Sequence, residues 1–122
     1  MLIAIVQIPL PGQKSKDQAI MGGMKSTDQY LGMPGLIRKD YLSSDEGGGG
    51  VYLWETREAA EAWYNDDWWV MMQDRYGVKP SLVLYDHYLT VDNDLGAVTV
   101  DRKPVAAEAE TMQRRANTDE LT

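Results

Sequence analysis

The chain has 122 residues, 12 of them basic and 19 acidic, for a net charge of −7. That length carries one modest core, and the absence of cysteine excludes a disulfide framework, thiolate metal sites and thiol catalysis. The acidic balance argues against nucleic acid and against an anionic membrane surface, which both need clustered Lys and Arg, and no apolar run reaches the ~20 residues that span a bilayer.

The opening MLIAIVQIPLPG has no basic residue ahead of its apolar stretch, so it reads as a strand, not a signal peptide. A cytoplasmic protein is expected. Leu2 to Ile8 is nearly continuous in apolar character, the pattern of a strand covered on both faces. Pro9, Pro11 and Gly12 end it. Ser15 to Leu31 reads as a helix with Ser15 as N-cap and Gln18 completing a capping box. Ile20, Met24, Thr27 and Leu31 give it one apolar stripe. Gly22 and Gly23 weaken that helix, so either another backbone comes close there or the helix is simply weak. Gly35 to Ser43 is the second strand, and Ser44 to Gly50 a hairpin loop. This glycine run lacks the Lys-Ser/Thr ending of a phosphate loop. Val51 to Glu55 is the third strand. Thr56 caps a helix that Asn65-Asp66 interrupts, with Asp66 capping a second segment and Gly77 stopping it. Ser81 to Leu89 is the fourth strand, apolar on both faces. The polar remainder holds a short strand around Val98 and Val100, then a helix starting at Pro104.

The order strand–helix–strand–strand–helix–strand implies an α+β fold: a ferredoxin-like βαββαβ protomer whose antiparallel four-stranded sheet carries both helices on one face. The first and fourth strands are apolar on both faces, so the other face needs a cover. A second copy related by a two-fold axis supplies it most simply, which predicts a homodimer. The alternative is a monomer whose C-terminal tail covers its own sheet. The expected division is residues 1–90 as the folded domain and 91–122 as an extension, partly helical and packed on a partner subunit.

The stretch MPGLIRKDYLSSDEGGGGVYLWETREAAEAWYNDDWW resembles the monooxygenase families of the dimeric α+β barrel class, relatives of the antibiotic-biosynthesis monooxygenases. The likeness rests on Pro34-Gly35-Leu36-Ile37, on the Arg38-Lys39 pair, on the glycine-rich hairpin, and on Gly-Val-Tyr-Leu-Trp-Glu running into an Ala-rich helix. It follows Met1 to Leu89 in element order and is sharp from Pro34 to about Trp69. It implies back-to-back sheets in a dimeric α+β barrel, with a cavity between each sheet and its helices. It also implies oxygenation of an aromatic, polyketide-like substrate without a cofactor, or other small-molecule chemistry. The chain departs from the Asn–Trp–Trp set of the better-understood oxygenases and from the short members by its tail.

His87 is the only histidine and therefore a candidate base near neutral pH; the alternative is a structural histidine. Asp40 is a second candidate base, and Arg38 on the same strand face would hold an anionic substrate. The alternative for that pair is a surface ion pair. With four Trp and seven Tyr but no Phe, the rings Tyr41, Tyr52, Trp54, Trp63, Trp68 and Tyr85 are candidates to line a pocket for a small aromatic molecule, although a plain core would use the same rings. The acidic residues between Glu55 and Asp74 lack an ordered loop pattern, so no metal site is expected. A non-catalytic, dimeric ligand-binding or structural module is the alternative to an enzyme.

Overall fold

The computed structural model describes residues 1–12 and 14–105. Two compact units divide between Asp86 and His87. The first holds β1 (Leu2–Ile8), α1 (Lys16–Tyr30), β2 (Leu36–Ser44), β3 (Gly47–Trp54), α2 (Arg57–Trp63), α3 (Asp66–Tyr76) and β4 (Ser81–Asp86). The described part of the second holds β5 (Leu89–Asp92), β6 (Ala97–Val100) and β7 (Lys103–Pro104). Among the described residues no helix is long and apolar enough to cross a membrane.

This corrects the expected ferredoxin-like βαββαβ protomer, and the dimeric α+β barrel expected from it. Three helices and two antiparallel sheets, of four and three strands, replace two helices and one sheet. Local chemistry explains both differences. Tyr64 leaves helical geometry at φ −85, ψ 51, and the Asn65 side chain then accepts from Trp68 N, so a new helix starts with Asn65 as its cap. Beyond β4 the chain turns repeatedly on itself. Asp92 Oδ1 accepts from Leu95 N in the β5–β6 turn, and Asp101 and Arg102 take positive φ between β6 and β7, the geometry of a tight hairpin. Pro104, expected to start a helix, closes β7; the rest of that expected helix and its packing on a partner lie outside the described residues.

The four-stranded sheet runs β2-β3-β1-β4, antiparallel throughout. Leu2, Ala4, Val6 and Ile8 are buried while Ile3 and Ile5 are half-buried and Gln7 is exposed. So β1 is fully covered on one face only, not on both as its apolar run suggested. Tyr52 and Trp54 of β3, Ala60 and Tyr64 around α2, and Trp68 and Met72 of α3 complete the core on that covered face. Burying Trp54, the largest fully enclosed side chain, alone contributes several kcal/mol: removing such a ring costs about 3–5.

Two further expectations change. The loop Ser44–Gly50 is shorter: only Asp45 and Glu46 turn, and Gly47 to Gly50 belong to β3. Gly47 and Gly49 take φ near +150, and a Cβ there would strike the Ile8 and Val6 carbonyl oxygens, so glycine lets β3 lie flush on β1. On α1 three of the four expected stripe residues face outward, with Ile20, Met24 and Leu31 all more than half exposed, and Thr27 alone of the four is half-buried. The inward stripe is Ala19, Gly23, Ser26, Thr27 and Tyr30. Small residues on that side let α1 settle against the Tyr41 ring, whose Cδ2 lies 3.0 Å from where a Gly23 Cβ would stand.

Candidate functional site

Strand register sorts the expected site residues onto opposite faces. Ala4 faces Tyr52 and Leu2 faces Trp54, so both rings join the covered face. Lys39 pairs with Tyr52 and Tyr41 with Gly50, which brings Lys39 and Tyr41 to that same face. On the other face two rows cross the sheet, Tyr85–Ile3–Leu53–Arg38 and Val83–Ile5–Val51–Asp40. Arg38, Asp40 and Tyr85 are therefore separated by the sheet from Tyr41, Tyr52 and Trp54. Trp63 and Trp68 lie on α2 and α3 and pack with the core. His87 falls in the second unit.

The candidate catalytic groups are occupied locally. Arg38 Nε and Nη2 donate to Asp40 Oδ2 at 3.0 and 2.7 Å, and both side chains are more than half exposed. This is the surface ion pair weighed as the alternative, a contact worth ~0–1 kcal/mol. His87 Nε2 shares a 3.0 Å hydrogen bond with Thr90 Oγ1, while its Nδ1 is buried without a partner among the described residues. Among the described residues no cluster of His, Cys, Asp or Glu is placed to hold a metal ion.

Four of the expected pocket rings, Tyr52, Trp54, Trp63 and Trp68, join Tyr30 and Tyr64 in a packed aromatic layer, while Tyr41 and Tyr85 stand outside it. Tyr30 meets Tyr52 and Trp63 edge-on at 5.7 and 5.9 Å between centroids. Tyr64 meets Tyr52, Trp54 and Trp68 at 5.8, 5.8 and 4.9 Å. Trp54 Nε1 donates to the Tyr64 hydroxyl at 3.2 Å. Burial raises the pKa of Tyr52, Tyr64 and Tyr30 above the ordinary tyrosine value, so these phenols stay protonated near neutral pH. Two indole N–H groups in the layer, Trp63 Nε1 and Trp68 Nε1, are buried without an acceptor among the described residues. An orphaned buried donor costs ~1–3 kcal/mol.

Sequence reasoning missed Lys39. Its Nζ stands 3.9 Å from the Tyr30 ring centroid, 4.0 Å from Tyr41 and 4.8 Å from Tyr52. Among the described residues no carboxylate pairs with it. It makes no hydrogen bond among the described residues, and the side chain is half-buried. Burial, then the nearby Arg75 charge, pushes its pKa down to about 8. The three ring faces pull the other way by stabilising the ammonium. Gly50 supplies the room, since a Cβ there would stand 2.9 Å from Lys39 Cε and 3.0 Å from Tyr52 Cε1. The hydroxyl of Tyr41 is fixed by Ser26 Oγ at 2.7 Å, which anchors one wall to α1. Strand alternation is the sequence signal that puts Lys39 and Tyr41 on one face of β2, and the β2–β3 register sets Tyr52 beside them.

A separate open cleft of about 610 Å³ lies at the end of the sheet where β1 stops and β4 starts. Leu42, Ile8 and Pro80 form its apolar wall, with Lys79, Glu46 and Ser81 as polar members. None of the site residues expected from the sequence lines it. No protein-family model and no curated protein matches the chain in sequence.

Proposed function

We propose that the protein binds a small, electron-rich aromatic molecule of the phenol class at Lys39, on the helix-covered side of its four-stranded sheet. The observation that carries this reading is a half-buried amine set among three tyrosine rings, with neither carboxylate nor hydrogen-bond acceptor among the described residues. A phenol or its anion supplies the missing acceptor, and its ring edge suits the faces of the tyrosines. Oxygenation without a cofactor, the activity implied by the resemblance, extends the same reading. It requires the bound phenol to lose a proton, and the neutral fraction of an amine titrating at about 8 accepts one. A binding module without turnover is the second reading. It is favoured by the mutual engagement of Arg38 and Asp40 across the sheet from Lys39.

A panel of 2-naphthol, anthrone, a quinol, a flavin and haem separates these readings by thermal shift and oxygen uptake. The phenolic members raise the melting temperature of the wild type and not of Lys39→Met, since a ligand bound only by the folded state stabilises it. Oxygen uptake with that shift identifies an oxygenase, and a shift without uptake identifies a binding module. No shift from any phenol overturns both.

A second copy of the chain is the proposed partner of the opposite sheet face. Val83 and Tyr85 are 46% and 52% exposed there. The two cross-strand rows end in Arg38 and Asp40, so a copy turned by a two-fold axis meets an edge of complementary charge.

A further inference from the structure

The surroundings of Lys39 differ from those of the other lysines in ways that matter for covalent chemistry. Lys14, Lys16, Lys25, Lys79 and Lys103 are exposed, whereas Lys39 is half-buried. Its stem lies against Gly50 and its amine among Tyr30, Tyr41 and Tyr52. Three elements hold that arrangement: Tyr30 ends α1, Tyr41 shares β2 with the lysine, and Tyr52 stands opposite it on β3. No neighbouring acid ties up the amine among the described residues.

We propose that Lys39 is a nucleophile that condenses with a small aromatic aldehyde or ketone to give an imine, the tyrosine rings seating the aromatic part beside the amine. The Nζ lone pair forms the new C–N bond as the carbonyl π bond opens onto oxygen. A proton passes from nitrogen to that oxygen to give the carbinolamine. The hydroxyl then leaves as water, with one further proton from solvent, as the nitrogen lone pair forms C=N. The resulting protonated imine keeps a positive charge where the ammonium was, over the same ring faces. No oxidant or reductant is consumed. The availability of the free amine supports this reading. Roughly a tenth of an amine titrating at about 8 is unprotonated at neutral pH, against well under a thousandth for an ordinary lysine at ~10.4. The groups that set this balance are Arg75, which favours the neutral amine, and the rings of Tyr30, Tyr41 and Tyr52, which favour the ammonium.

The inference rests on the aromatic site proposed above and deepens it by naming a carbonyl-bearing ligand. The test treats the full-length protein near neutral pH with 2-naphthaldehyde and cyanoborohydride, then maps the reduced adducts by peptide mass spectrometry. The adduct is expected at Lys39 at least about ten-fold above any exposed lysine, a conservative share of the difference in free amine. It rises with pH to an inflection near 8 and is absent from Lys39→Arg, which keeps the charge and most of the stem. Propanal, which has no ring, is expected to label Lys39 several-fold less than naphthaldehyde. Adducts spread evenly over the exposed lysines, or equal labelling by propanal, overturn the inference. Binding of 2-naphthol without naphthaldehyde adducts at Lys39 overturns the imine alone. Failure of both probes overturns the binding site as well.

Discussion

Gly22 and Gly23 stand side by side in α1 and offer a controlled test of how that helix is held. Replacing a mid-helix glycine with alanine gains up to ~1 kcal/mol through the unfolded chain and helix propensity. At Gly22 a Cβ meets nothing within 4 Å, so Gly22→Ala keeps the whole gain. For a unit of this size that raises the melting temperature by ~4–8 °C. At Gly23 the Cβ would stand 3.0 Å from Tyr41 Cδ2 and 3.4 Å from Cε2. The ring cannot retreat freely, because its hydroxyl is bonded to Ser26 on the same helix and the Lys39 amine lies against its face. Overpacking of this kind costs ~1–3 kcal/mol, which cancels or outweighs the propensity gain. Gly23→Ala is therefore expected at or below the wild-type melting temperature in differential scanning calorimetry. Adding Tyr41→Ala restores the gain from Gly23→Ala relative to Tyr41→Ala alone. Equal stabilisation by the two single alanine variants would show that α1 does not rest on Tyr41, and the account of the Lys39 site would lose one of its walls.

Lys39 should also imprint a pH dependence on stability. Its folded pKa lies below the unfolded value, so between about 8 and 10.5 the unfolded chain binds more protons and stability rises with pH. The buried tyrosines act with the opposite sign from about 10 upward, so the measurement is the difference between wild type and Lys39→Met in urea melts. A difference that stays flat from pH 8 to 9.5, inside that window, refutes the shift. Gly49→Ala should cost at least ~2 kcal/mol, since it combines positive-φ strain with a collision on the Val6 carbonyl; a loss under half of that in denaturant titration contradicts the flush β1–β3 contact. Asp40→Asn should change stability by less than ~1 kcal/mol and leave 2-naphthol binding intact, with calorimetric titration as the check; lost binding would return Asp40 to the site. Tyr85→Lys should shift sedimentation velocity toward a single copy while circular dichroism is unchanged. A wild type that already sediments as one copy at tens of micromolar removes the proposed partner.

Much of the fold is legible residue by residue, because short-range chemistry dictates it. The Ser15–Gln18 box appears as read, each side chain bonded to the other's backbone N–H at 3.0–3.1 Å, and β1 keeps the bounds Leu2–Ile8. Failures occur where tertiary contact overrides composition. Four consecutive glycines look like a loop, but two of them adopt positive φ because β1 runs too close for any side chain. The Ile20-Met24-Leu31 periodicity is genuine, yet α1 presents its small residues to the sheet, since Tyr41 already occupies the space an apolar stripe would fill. A shift in register between Leu36 and Arg38 puts Leu36 opposite Trp54 on the covered face and not beside Arg38. Bulges of this kind leave no mark in hydropathy.

The site was the less legible part for a different reason. A sequence shows which side chains are available as bases at neutral pH in water, which directs attention to His87 and the carboxylates. It does not show which ones lose their water on folding. Lys39 is unremarkable in composition, flanked by Arg38 and Asp40 in a run that looks like a solvated edge. Alternation places it on the face opposite both neighbours, and from there its chemistry follows from packing. Tyr30 arrives from α1, Tyr52 from β3, and the glycine at position 50 opens room for the stem. Desolvation then changes an ordinary cation into an amine that gives up its proton at about 8. Sorting strand residues by face before ranking them by chemistry brings Lys39 and Tyr41 together from the sequence alone, the β2–β3 register adds Tyr52, and Arg38 and Asp40 are left as the exposed pair they form.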